Sequence, residues 1–273
     1  MKKNDLIVKI TDGFGNQLFQ YAAAYSAAKY NNMNLYIDKS QYNEKSFRKY
    51  ELNSLDIKTQ YADAKSISEL PVFKESSFNF DSNIFNLKSS VYIEGFWQSE
   101  KYFKQYSDDI HKMYRFKNMD FINNNHYDYM MRNSNSVAIH VRTQDYLVPP
   151  DNKIHYVCTK DYYKNAISRI YEVVKSPVFF VFSDNLITAQ QFLDKNLEYI
   201  MVNSTGWQED FYLMQQAKHN IIANSSFSWW AAWLNDNPDK MVIAPENWFS
   251  QNSGIDYSDV IPNDWVKVKT NCS

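Results

Sequence analysis

Short apolar runs along the chain alternate with longer stretches in which apolar residues return every three or four positions, the pattern of strands that feed helices. Residues 6–10 form a largely β-branched run, Thr11-Asp12-Gly13-Phe14-Gly15 turns, and residues 16–29 carry Leu18, Tyr21, Ala22, Tyr25 and Ala28 at helical spacing. This predicts a strand, a tight loop and a helix. Residues 35–37 read as a second strand, whereas 40–90 are polar and irregular, with Pro71 as a helix breaker. Residues 91–93 give another strand ending at Glu94-Gly95, and a helix is expected through Tyr102, Phe103 and Tyr106.

The second half is more regular. Strand-like and helix-like patterns alternate four times between Val137 and Ala244, which predicts a parallel sheet. The expected strands, 137–139, 178–182, 221–223 and 241–244, are apolar throughout, as strands buried on both faces must be. Thr159 is placed to cap a helix whose stripe of Tyr163, Ala166, Ile167, Ile170, Tyr171 and Val174 ends before Pro177. The Asn-rich stretch from Asn123 to Asn135 marks a join near residue 125. Two α/β domains are therefore expected, 1–125 and 126–273, each large enough to bury its own core.

In open parallel sheets, ligands bind beyond the carboxyl ends of the strands. There the second half is strongly polar. His140-Val141-Arg142-Thr143-Gln144-Asp145 follows its first strand, Ser183-Asp184-Asn185 the second, Asn224-Ser225-Ser226-Phe227-Ser228 the third and Pro245-Glu246-Asn247 the fourth. An arginine, an acid and hydroxyls at a helix N-terminus suit a nucleoside diphosphate, with Arg142 and backbone N–H groups for phosphate and Asp184 for donors on the base or ribose. Each piece has a plainer reading as well. Asn224-Ser225-Ser226 can simply cap the next helix, Arg142 can pair with Asp145, and His140 can be a hydrogen-bonded residue at a strand end. Their joint occurrence at successive strand ends favours a site.

Gly13 and Gly15 are two of only five glycines and stand immediately before a helix. A dinucleotide fingerprint would need a third small residue where Leu18 stands, which disfavours NAD binding even with Asp38 at a tolerable distance. The glycines instead let backbone approach a ligand, with Asn16 and Gln17 offering carboxamides suited to sugar hydroxyls. No Gly-x-x-x-x-Gly-Lys, Asp-x-Asp or His-Glu-x-x-His motif occurs. With no metal-ligand set visible, charge on a departing diphosphate falls to Arg142 and helix-terminal N–H groups.

The net charge of -2 supplies no global field for nucleic acid or anionic lipid. Aromatic residues make up 17% of the chain, enough for a large aromatic core and for stacking against sugar faces. Cys158 and Cys272 stand far apart, outside any Cys-x-x-Cys pattern, which fits two free thiols in a reducing cytoplasm. The basic start carries a lysine within a short apolar run and reads as a strand rather than a signal peptide. No segment approaches the roughly 20 apolar residues of a membrane span, so a cytoplasmic protein is expected, soluble or peripheral at the inner face of the membrane.

The runs Gly13-Phe14-Gly15-Asn16-Gln17-Leu18-Phe19-Gln20-Tyr21, His140-Val141-Arg142-Thr143-Gln144-Asp145-Tyr146, Phe182-Ser183-Asp184-Asn185 and Ile222-Ala223-Asn224-Ser225-Ser226-Phe227-Ser228-Trp229-Trp230 resemble the bacterial branch of the α-1,2-fucosyltransferase family, glycosyltransferase family 11. The likeness spans nearly the whole chain, Asp210-Phe211-Tyr212-Leu213-Met214 included. It implies a GT-B-like α/β architecture, two Rossmann-like domains with parallel sheets facing across a cleft, the first on the acceptor side and the second binding GDP-fucose. It further implies inverting transfer from GDP-β-L-fucose to the 2-hydroxyl of a galactose-terminated glycan such as O-antigen, without a metal or other cofactor. By the same resemblance Arg142 would bind the β-phosphate, and His140 and Asp184 the guanine end. Asn224, Ser225, Ser226, Phe227 and Ser228 would line the diphosphate and base pocket, and Asn16 would sit near the reacting bond. Asp145 is either the base or the residue that orients Arg142. Two departures stand out: Thr143 where the family often has a second arginine, and Asp12 where it often has glycine. The rivals are a lectin-like module presenting Trp229, Trp230 and Trp233, which helical spacing assigns to core, and a protein O-fucosyltransferase sharing the glycine loop and the His-x-Arg pair.

Overall fold

A computed structural model describes residues 4–123, 125–142, 158–250 and 253–270, and the chain divides into two compact units. The first comprises the chain up to Asn118 together with Ile255–Pro262. Its strands are β1 (Asp5–Lys9), β2 (Asn34–Asp38), β3 (Val72–Lys74) and β4 (Val91–Glu94), all parallel in the order β2-β1-β4-β3. Ile7 lies between Tyr36 and Tyr92 in register, and Leu6, Ile7 and Val8 are wholly buried, as a central parallel strand requires. The helix Phe14–Tyr30 follows β1 and buries Leu18, Phe19 and a run of alanines. It ends where the Asn31 side chain donates to the Ala27 carbonyl at 2.8 Å and Asn32 turns left-handed at φ 53.

Two expectations fail in this unit for physical reasons. β3 falls in the stretch read as irregular; it has three residues, and Val72 is exposed, so no apolar period announces it. The helix expected through Tyr102 and Tyr106 is instead two 3₁₀ turns, Glu100–Tyr102 and Lys104–Tyr106, before an α-helix at Ser107–Met113. Phe103 breaks the helical path at φ -138, and it and its neighbour Tyr102 are both fully buried. Consecutive residues on a continuing α-helix would point about 100° apart.

The second unit comprises Met119–Gly254 and the chain from Asn263. Its strands are β5 (Asn135–Val141), β6 (Pro177–Ser183), β7 (Tyr199–Met201), β8 (His219–Ile221), β9 (Val242–Pro245) and β10 (Val266–Val268), all parallel in the order β10-β9-β8-β5-β6-β7. β5 runs longer than expected, β8 begins and ends earlier, and β7 and β10 are three-residue edge strands with no readable pattern. Thr159 caps the helix Lys160–Val173 by accepting from Tyr162 N at 3.3 Å. Tyr163, Ala166, Ile167 and Ile170 are buried as expected, but Tyr171, one step round the helix from Ile170, is 57% exposed. Trp229, Trp230 and Trp233 pack against one another and Trp265 in the interior, so they are core. No described helix is long and apolar enough to cross a membrane.

Each sheet is entered at an inner strand and grows first to one side and then to the other. The order therefore reverses between β1 and β4 in the first unit and between β5 and β8 in the second. Crevices at such reversals are where open α/β sheets hold ligands.

Candidate active site

In the second unit the reversal brings together the ends of β5, β6 and β8. β5 continues through Val141, which places His140 inside the strand and makes Arg142 the first residue beyond it. β5 and β6 stay paired to Val141 opposite Ser183, so Arg142 and Asp184 emerge side by side, Nε 3.8 Å from Oδ2, with 19% and 23% of their side chains exposed. At that distance the charges attract without a hydrogen bond.

On the other flank β8 leads into the helix Ser226–Trp233. Ser225 occupies the N-cap position, yet its hydroxyl makes no capping hydrogen bond. The plain capping explanation for this serine therefore does not hold. Ser228 is buried and its hydroxyl donates to the Ser225 carbonyl at 3.3 Å, while Ser226 and Phe227 are partly exposed. Asn224 is committed inward: its Nδ2 donates to the Trp248 carbonyl at 3.1 Å and its Oδ1 accepts from the buried Cys158 thiol at 3.6 Å. It ties the loop after β8 to the chain after β9 and shapes the site rather than facing a ligand.

His140 is 5% exposed, its carbonyl accepts from Tyr163 Oη at 3.0 Å, and its ring centroid is 6.0 Å from that of Phe227. Among the described residues its Nδ1 is buried without a hydrogen-bond partner. Burial, and then the Arg142 charge, lower its pKa to about 3, so the imidazole is neutral at ordinary pH. Phe227 also meets Phe211, centroids 5.2 Å apart. The neighbouring Asp210, in the first turn of the helix Trp207–Gln216, has its carboxyl pushed up to about 6 by burial. Its run of residues was visible, but only tertiary burial singles out the carboxylate. Thr143 and Asp145 lie outside the described residues.

In the first unit the reversal joins the loop after β1 to the turn after β4. Asp12, not a glycine, takes the left-handed conformation at φ 68, which aspartate tolerates better than most side chains. Gly13 has φ -77, and a Cβ there would meet Arg48 only at 3.8 Å, so backbone geometry does not compel glycine at 13. Asn16 is partly exposed and its Oδ1 accepts from Gln98 Nε2 at 2.8 Å. Gln17 departs from expectation. It is wholly buried, donates to the carbonyls of Asp12 and Lys49 at 3.0 and 2.7 Å, and accepts from Glu51 N at 2.9 Å. Its carboxamide stitches the loop together. Among the described residues no group of three or more His, Cys, Asp or Glu side chains is placed to hold a metal ion.

The family model described as Glycosyl transferase family 11 matches residues 2–269. An α-1,2-colitosyltransferase of Escherichia coli is 30% identical, covering 97% of this chain and 99% of its own. The O-antigen biosynthesis glycosyltransferase WbnK of Escherichia coli is also 30% identical, over 95% of this chain and 99% of its own. Among solved structures, the NodZ α-1,6-fucosyltransferase soaked with GDP-fucose superposes with a TM-score of 0.53 at 16% identity, covering 85% of this chain and 93% of NodZ. FUT1 of Arabidopsis thaliana in complex with GDP gives 0.51 at 11% identity, over 97% of this chain and 76% of that one. These likenesses concern the fold, which is α/β and GT-B-like with two parallel sheets.

Proposed function

We propose that this chain, which belongs to glycosyltransferase family 11, transfers L-fucose from GDP-β-L-fucose to the 2-hydroxyl of a galactoside in a surface glycan, with inversion and without a metal ion. The coarser activity, sugar transfer in glycan synthesis, follows from the family. The observation that carries the donor reading is the convergence, at the reversal between β5 and β8, of a neutral buried imidazole, an arginine and a helix N-terminus whose Ser225 hydroxyl is not used in capping.

In this reading the acceptor oxygen bonds to the anomeric carbon as the bond from that carbon to the β-phosphate oxygen breaks. The electron pair leaves with GDP. Arg142 and the first N–H groups of the helix Ser226–Trp233 hold the charge that develops there. His140 and Asp184 take the guanine end, Ser225, Ser226, Phe227 and Ser228 line the pocket, and Asn16 serves the acceptor. Asp145 is the candidate for the acceptor proton. Thr143 in place of a second arginine makes for a looser grip on the donor.

A second reading, colitose as the transferred sugar, is supported by the Escherichia coli colitosyltransferase among the relatives. The test is incubation with GDP-fucose or GDP-colitose and lactose in EDTA, following GDP release and the glycan product by mass spectrometry. Fucosyl-lactose formed in chelator supports the first reading. Product only from GDP-colitose replaces it with the second, and failure to bind GDP overturns the donor assignment.

A further inference from the structure

The turn after β4 holds a conformation that its own residues disfavour. Trp97 is fully buried at φ 57, in the left-handed region that a bulky side chain disfavours. Gly95, two residues earlier, is hemmed in by Glu75: a Cβ there would come 2.4 Å from Glu75 Cβ and 2.8 Å from its Oε2. Only glycine allows that approach. Glu75 is the first residue beyond β3. Its Oε2 accepts from Phe96 N at 2.6 Å and its Oε1 from Trp97 N at 2.9 Å.

Burial pushes the Glu75 carboxyl up to about 7 even with those two backbone donors pulling the other way, so a carboxylate here is costly and the donors offset that cost only in part. Phe73 stacks on the Trp97 indole at 6.0 Å and Tyr102 meets it edge-on at 5.5 Å. The chain leaves this clamp directly into Gln98, the residue whose amide donates to Asn16. A second tie runs behind the first, since Gln20 Nε2 donates to both the Gly95 carbonyl, at 3.2 Å, and Thr11 Oγ1, at 2.9 Å. Glu75, the turn 95–98 and Asn16 therefore form one connected unit at the reversal between β1 and β4.

We propose that Glu75 is a positioning residue on the acceptor side of the transfer: its carboxylate clamps the turn 95–98, and through Gln98 this fixes the carboxamide of Asn16. The inference rests on the transferase reading above. A left-handed tryptophan held by a half-buried acid is a costly arrangement for a turn, and it orients a side chain at a strand reversal, where ligands bind. In Glu75→Gln the amide would turn an N–H toward one of the two backbone N–H groups, so one clamp bond is lost while the shape is kept.

The test measures kcat, acceptor KM and GDP Kd for the wild type, Glu75→Gln, Gln98→Ala and the double variant, below the melting temperature of each. Glu75→Gln is expected to lower acceptor kcat/KM by roughly 10- to 100-fold, the scale of a lost hydrogen bond to a charged group, while GDP Kd stays within about twofold. The double variant is expected to be no worse than the worse single variant, because both act through one path. Multiplying effects, an equal loss of GDP affinity, or unchanged turnover in Glu75→Gln would overturn the proposal. If Glu75→Gln does not fold, Gln98→Ala must by itself show the acceptor-selective loss, and its absence overturns the proposal. A wild type inactive with both GDP sugars would defeat the transferase reading and this inference with it, whereas an active wild type matched by Glu75→Gln defeats the inference alone.

Discussion

Arg142 Nε stands 3.8 Å from Asp184 Oδ2 because β5 and β6 keep their register to the last pair, Val141 opposite Ser183. The Asp184 carboxylate thus attracts the guanidinium, and in the proposed reading an incoming diphosphate competes with it. Arg142→Ala is expected to lose about 3 kcal/mol of transition-state stabilisation, roughly 100-fold or more in kcat. Arg142→Lys should recover only part, because an ammonium lacks the planar fork. Steady-state GDP release checks both, and full turnover in Arg142→Ala would remove the arginine from the mechanism.

His140 gives the protein a pH signature. Its folded pKa, about 3, lies below the value of about 6.5 expected in the unfolded chain. Below that value the unfolded state binds a proton that the folded state refuses. The associated stability is complete above pH 6.5 and is lost as pH falls toward 3. Between pH 7.5 and pH 5 the wild type should lose about 2 kcal/mol more than His140→Gln. Urea unfolding at the two values measures this, and parallel losses in the two proteins would show that the imidazole is not excluded from protonation.

Asp12 sits where the chain turns left-handed, at φ 68. Asp12→Gly should fold with unchanged or slightly higher stability. Asp12→Val, a β-branched residue forced into that region, should lose about 1–3 kcal/mol. Thermal melting compares them. Equal melting of the wild type and Asp12→Val would contradict the left-handed turn.

Neighbouring residues Asn224 and Ser225 should part company under substitution. Asn224 bonds to a buried carbonyl and a buried thiol, so Asn224→Ala should cost about 1–3 kcal/mol of stability. A capping serine would cost about 0.5–2 kcal/mol on replacement by alanine. Ser225 makes no capping bond, so Ser225→Ala should melt close to the wild type while weakening GDP binding. Calorimetry separates the two properties, and a destabilised Ser225→Ala with normal GDP affinity would restore the plain capping role.

The sequence by itself determined the class of fold and singled out candidate site residues at the strand ends. Apolar runs such as 178–182, short, rich in β-branched and aromatic residues and uninterrupted by polar ones, read as strands covered on both faces. The cap at Thr159 is a local rule acting over three residues. Arg142, Asp184 and Ser225 were legible as candidates because polar residues that follow the strands of a parallel sheet lie on one rim, whereas His140, expected beyond the strand, lies inside β5. The short edge strands β3, β7 and β10 were not, since three residues cannot display a period. Direction and partnership were decided only by the tertiary structure. Gln17 and Asn224, carboxamides beside exposed-looking motifs, turned inward to backbone carbonyls. The segment Ile255–Pro262 returned to the first unit, where Asp259 accepts from Phe80 N. Glu75 meets a backbone 21 residues away, and Gln98 meets Asn16 across 82. Periodicity and capping act over a few residues, whereas burial and hydrogen-bond pairing across a sheet exist only once distant strands have been set side by side.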